Sequence, residues 1–166
     1  GHEDHIGGIP HLLSQVKIPV IYSSGIATFL IKSKMSEYAK QDYKIEEYNS
    51  NTILKYKHFT VSFFNTNHSI PDSYGISIKT KLGFILHTGD FKFDFTPLGA
   101  QTDFQKITSY ASKGVLCLLA DSTNALVNKF SLSEKKIGES IRNIFSNITG
   151  RILISTFASN VYRIQQ

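Results

Sequence analysis

Cysteine occurs once in this 166-residue chain, proline four times, and no uninterrupted apolar stretch approaches the roughly 20 residues that a bilayer-spanning helix needs. The single cysteine excludes an intrachain disulfide. Cys117 itself lies within Val115-Leu116-Cys117-Leu118-Leu119-Ala120 and reads as a small hydrophobe in a buried core strand. The chain opens on a polar run rather than the charged-then-apolar pattern of a signal peptide, so a soluble, cytoplasmic protein with no membrane partner is expected. Low-complexity tracts and internal repeats are absent. With 41% hydrophobic and 19% charged residues, the chain can bury a substantial core, and its composition gives no sign of disorder. Acidic residues are outnumbered, for a net charge of +5. That excess permits a polyanionic partner, because Lys and Arg near phosphates release counterions. It does not demand one: apart from Lys135-Lys136, the lysines are scattered.

What is present in abundance is metal-binding chemistry at the start. His2, Asp4 and His5 fall within Gly1-His2-Glu3-Asp4-His5-Ile6-Gly7-Gly8. Two imidazoles and a carboxylate so close together are suited to divalent zinc, and a short loop can aim them without a long side chain having to reach. Two further candidates follow. His68 stands in Asn65-Thr66-Asn67-His68-Ser69 and Asp90 in His87-Thr88-Gly89-Asp90-Phe91-Lys92, each after a β-branched or aromatic run that reads as a strand. Loops leaving strand ends are where ligating groups gather in layered α/β folds, so the three clusters can meet at one edge.

The rest of the pattern predicts a strand at 18–23, a helix from about 26 to 39, and strands at 51–56, 59–65, 74–80 and 84–87, with Lys81-Leu82-Gly83 turning between the last two. A helix over 103–112, closed by Gly114, precedes a buried strand at 115–120 that delivers Asp121. After Phe130, Ser131-Leu132-Ser133-Glu134 offers a capping box. The helix it opens carries Ile137, Ile141, Ile144, Phe145 and Ile148 as one buried stripe, and Gly150 ends it. Residues 151–156 read as a strand running into Phe157-Ala158-Ser159-Asn160.

Together, the His-x-Asp-His-x-Gly-Gly run, the lone His68 and Thr88-Gly89-Asp90 resemble the metallo-β-lactamase superfamily of two-zinc hydrolases. Adding His87 to Lys92, Asp121-Ser122-Thr123-Asn124 and Ser155-Thr156-Phe157-Ala158-Ser159-Asn160, the chain resembles the bacterial ribonuclease J family of the β-CASP branch along its whole length. The resemblance implies an αββα sandwich, mainly its second half, over 1–130, and the beginning of an inserted β-CASP domain over 131–166. It implies two zinc ions, replaceable by manganese or magnesium, with His2 and His68 on one, Asp4 and His5 on the other, and Asp90 bridging. Asp4 would also orient the attacking water. Ser159, with Asn160 and Val161 beside it, matches a position that holds a substrate phosphate, and Asp121 one that supports a ligating histidine. From the residues alone, Ser159 is better explained as a cap of the next helix and Asp121 as an ordinary strand-end cap. The family carries a His just before the position of Gly1 and another well beyond that of Gln166, so an interior piece of a longer enzyme is expected, with an incomplete ligand set and little activity or metal affinity alone.

The implied activity is hydrolysis of RNA phosphodiesters, 5′-to-3′ or internally, in RNA maturation and decay, by a homo-oligomer when full length that is able to join an RNA-degradation complex. Two other classes stand beside it. A thioester or lactone hydrolase would keep the zinc run without the 155–160 segment, and a non-catalytic RNA-binding piece would keep the fold while losing ligands. His11, His58 and His87 are given no role.

Overall fold

The computed structural model describes residues 1–38 and 42–166; the expected helix end at Ala39 lies outside the described residues. The fold is mixed α/β, with two sheets among the described residues. The larger has five strands in the order β3 (Ile53–Lys55), β4 (Thr60–Asn65), β5 (Tyr74–Lys79), β6 (Phe84–His87) and β7 (Val115–Leu119). The first four form an antiparallel meander, and β7 joins β6 in parallel after α4 (Phe104–Ala111) makes the crossover. This topology points the C-terminal ends of β4, β6 and β7 in one direction.

The residues at each step account for the meander. Val61, Phe63 and Phe64 alternate across β4, so that Phe63 stacks on Tyr48 at 3.8 Å while Phe64 turns to Tyr110 of α4 at 6.1 Å. Opposite Phe64 in the register stands Gly75, where a Cβ would lie 2.2 Å from the Phe64 ring, so only glycine leaves the ring its place. Gly83 closes the β5 to β6 turn at φ 143, a conformation that glycine adopts without strain, and its carbonyl accepts from the Thr80 amide at 3.0 Å.

The smaller sheet pairs β1 (Ile21–Ser23) in parallel with β2 (Ile45–Glu47), and the intervening α3 (Gly25–Ser36) packs on α2 (Ile9–Gln15). Ile6, Ile31 and Met35 form the core there, with Ile9, Leu13, Leu30, Tyr43 and Ile45 against them. An ion pair between Lys34 and Glu3 at 2.5 Å ties α3 to α1 (Glu3–Ile6).

Several expectations need correction. The opening run is a helical turn rather than a loop, with His2 at its N-cap position and Asp4 and His5 inside it. The first strand begins at Ile21 instead of residue 18, because Pro19 has no amide to donate and β2 offers only three partners. β2 was not foreseen: parallel pairing depends on a distant strand and leaves no local signature. β7 is exposed along its whole length and Cys117 is exposed with it, since no layer covers either face of this edge strand among the described residues. Helix α5 (Glu134–Ser146) is capped by Ser133, whose hydroxyl accepts from the Lys136 amide at 3.3 Å, not by Ser131. Its stripe is partly buried only at Ile137 and Ile141; Ile144, Phe145 and Ile148 are exposed. Residues 151–156 form no strand, having no pairing partner for their backbone among the described residues. Among the described residues, no helix is long and apolar enough to cross a membrane.

Candidate metal centre

The topology sets the candidate residues side by side. His68 lies three residues past β4, Asp90 three past β6, and Asp121 two past β7, all at the same end of the sheet. The loops after β4 and β6 are zipped together by a backbone bridge, in which the Lys92 amide donates to the Asn67 carbonyl at 2.8 Å. Asn67 is itself buried. Its side-chain amide donates to the Ala100 carbonyl at 2.6 Å, and its Oδ1 accepts from the Thr102 hydroxyl at 2.7 Å. Gly89 turns the chain at φ 61 immediately before Asp90, with its amide on Nδ1 of His87 at 3.0 Å.

From α1, His5 and Asp4 face this edge. Asp90 Oδ2 stands 3.0 Å from His5 Nε2 and 3.7 Å from His68 Nε2, and Asp4 Oδ2 lies 3.6 Å from His5 Nε2. Asp4, His5 and Asp90 each offer a ligand atom within 4.8 Å of the others. Edge-on to His68, with ring centroids 4.9 Å apart, sits His2. Its two ring nitrogens face serine hydroxyls, Nδ1 at 2.5 Å from Ser159 and Nε2 at 2.8 Å from Ser69, instead of Asp90. All five sequence-derived candidates are thus brought into one cluster, His2 with its nitrogens turned to serines.

The electrostatics favour neutral imidazoles. Burial is the largest effect on both His2 and His68 and pushes both below the ordinary imidazole value; neighbouring positive groups add to this, and Asp90 opposes it. Neutral imidazole is the form that ligates metal. Nε2 of His68 is buried with no hydrogen-bond partner, which is unfavourable unless something else satisfies that lone pair. An orphaned imidazole nitrogen 3.7 Å from the Asp90 carboxylate fits a divalent cation.

Ser159, Asn160 and Val161 reach this cluster at one end. The hydroxyl of Ser159 touches His2, while Asn160 Oδ1 accepts from the Arg163 amide at 3.2 Å and Val161 begins α6 (Val161–Gln165). Asp121 is placed beside the site, but its Oδ1 accepts from Thr123, from the side-chain hydroxyl at 2.6 Å and from the backbone amide at 2.8 Å. Those bonds hold its carboxyl below the usual range, and its link to His68 is electrostatic.

Sequence reasoning missed an ionic knot next to the site. Lys92 pairs with Glu134 and, at 3.6 Å, with Asp94, whose Oδ2 accepts from the Glu134 amide at 2.8 Å. Arg163 completes it, 3.3 Å from Glu134 Oε2. Burial alone would raise Asp94, but the Glu134 and Thr96 amides and the Lys92 ammonium outweigh it and leave the carboxyl low. Only the burial of charged residues could have flagged this cluster, and burial is not legible from a linear pattern.

The model of the metallo-beta-lactamase superfamily matches residues 1–114. Ribonuclease J 1 of Streptococcus pyogenes is 52% identical across the whole chain, ribonuclease J of Mycoplasma pneumoniae 43%, and ribonuclease J2 of Bacillus subtilis 41%. The chain spans about 30% of the length of these curated relatives. A solved protein of unknown function from Enterococcus faecalis shares the backbone over 89% of this chain and 38% of its own, with a TM-score of 0.64 at 15% identity.

Proposed function

Since the chain belongs to the metallo-beta-lactamase superfamily, we propose that it is part of a metal-dependent ribonuclease that hydrolyses RNA phosphodiesters, from a 5′ monophosphate end or internally, in RNA maturation and decay. The observation that carries this reading is the meeting of His2, Asp4, His5, His68 and Asp90 at one sheet edge, in a chain that resembles ribonucleases J along its full length. The fold implies a divalent metal, and zinc suits the imidazole and carboxylate donors, with manganese or magnesium as substitutes.

His2 and His68 would hold one ion, Asp4 and His5 the other, and Asp90 both. When bound, such a pair lowers the pKa of water to around 7 and neutralises charge on a phosphoryl group. The chain's own residues do the rest. Asp4, the more exposed carboxylate of the cluster, accepts a hydrogen bond from the attacking water and so aims it. Burial, which pushes His2 and His68 below the ordinary imidazole value, favours the neutral form that ligates metal. Ser159 offers a hydroxyl donor to a substrate phosphate at the rim, next to His2. Asp121 fixes the loop after β7 through Thr123 and adds negative potential at His68. The net charge of +5 is compatible with a polyanionic substrate such as RNA.

In this reading residues 1–130 are metallo-β-lactamase domain and 131–166 begin the β-CASP insertion, in a cytoplasmic protein that self-associates and enters an RNA-degradation complex. The test is cleavage of RNAs bearing a 5′ monophosphate or triphosphate by the complete protein. Loss of cleavage in Asp4→Ala by at least about a thousandfold is expected; a variant as active as the parent would remove the metal mechanism.

A further inference from the structure

Resting on the ribonuclease reading, we infer that Glu134 is the positioning residue that fixes the Ser159 turn over the metal centre. Glu134 is buried, 6% exposed, and takes partners from both sides of the site. On one side is Lys92, two residues beyond Asp90, whose ammonium Glu134 shares with Asp94. On the other are Arg163, at 3.3 Å from Oε2, and Gln166, whose side-chain amide donates to the Glu134 carbonyl at 2.8 Å and to Oε2 at 3.4 Å. Arg163 and Gln166 belong to the segment that Ser159 and Asn160 open, and the Arg163 amide is held by Asn160.

Contacts and two short stretches of chain, from Ser159 to Asn160 and from Lys92 to Asp90, close into a ring. Ser159 leads through Asn160 to Arg163, then to Glu134, Lys92 and Asp90, and returns by His68 and His2 to Ser159. A ring of this kind has one weak consequence if opened at an exposed point and a large one if opened at a buried charge. Glu134 is the buried charge where the chain segment carrying Ser159 meets the chain segment carrying Asp90. Lys92 and Arg163 would otherwise repel each other, so removing the carboxylate's charge releases the 159–166 segment while leaving every candidate metal ligand in place.

The test compares Glu134→Gln, Arg163→Met, Arg163→Lys and the Glu134→Gln, Arg163→Met double variant in the complete protein. KM for a 5′-monophosphorylated RNA should rise roughly tenfold in each of the first two, with kcat and zinc content near parental values. Arg163→Lys should restore most of the affinity. The double variant should be no worse than either single, because both remove one shared contact. Amide hydrogen exchange across residues 159–165 should quicken in Glu134→Gln while β4 and β5 stay protected. Unchanged exchange, unchanged KM, additive losses in the double variant, or zinc lost in step with KM would each overturn the proposal. A parent protein that does not cleave RNA would sink the ribonuclease reading instead. The exchange experiment would then still decide whether Glu134 holds the Ser159 segment.

Discussion

Removing the Asn67 side chain should loosen the edge on which His68 and Asp90 meet. In Asn67→Ala, the Ala100 carbonyl loses its donor at 2.6 Å and the Thr102 hydroxyl its acceptor at 2.7 Å. Thr102 is buried, at 5% exposure, and Asn67 at 6%, so water does not readily replace either bond. A buried polar group left unpaired costs about 1–3 kcal/mol, and two such groups give a local loss of about 2 kcal/mol at the least. The Lys92 amide, bonded to the Asn67 carbonyl at 2.8 Å, is a direct reporter of that loss. With each 1.4 kcal/mol worth a factor of ten, its hydrogen exchange should quicken about 30-fold or more, while amides of β5 keep their protection. Zinc affinity should fall by roughly tenfold in the same variant, as when an outer support of a ligand is removed. Exchange at Lys92 accelerated by less than about threefold would show that Asn67 does not hold the two loops together.

Other consequences follow from single contacts. Gly75→Ala drives a Cβ to 2.2 Å from the Phe64 ring and should destabilise the protein by about 1–3 kcal/mol, read as a lowered Tm; a Tm within one degree of the parent would mean that the ring gives way freely. Ser133→Ala should cost about 1 kcal/mol through loss of the α5 cap, and Ser131→Ala nothing measurable, a comparison that reverses if the cap is Ser131. Because His2 and His68 are both pushed below the ordinary value of 6.5, the unfolded chain binds more protons than the folded one just below that pH. Stability of the metal-free protein is therefore full above pH 6.5 and is lost as pH falls through the lowered folded values. A thermal melt series that is flat or rises on acidification from pH 7.5 to 5.5, or that is unaffected by His68→Gln, would contradict this sign.

The sequence made legible what short-range chemistry encodes. The alternation at 59–65 and 74–80 and the Lys81-Leu82-Gly83 turn locate β4, β5 and β6 within a residue or two, and the His and Asp signals name the side chains that the fold brings together at one sheet edge. Partnership over long distances is harder to read. Parallel pairing of β1 with β2 and the exposure of Cys117 on β7 depend on which layers are adjacent, not on the residues of the strand itself. The apolar runs at 115–120 and 151–156 have a core-strand composition, yet burial requires a covering layer and strand formation requires a partner. In the site, ligand types were visible while their supports were not. Asn67 and Glu134 look like ordinary polar residues until the fold buries them among charges and carbonyls.

The central claim is that groups from α1 and from the ends of β4 and β6 make one metal centre, and metal content after zinc loading and exhaustive dialysis tests it most directly. The complete parent protein should retain roughly two ions per chain, and Asp90→Ala, which removes the carboxylate between His5 and His68, should retain less than half of that. An Asp90→Ala protein that holds zinc as fully as the parent would show that these side chains are neighbours without being ligands.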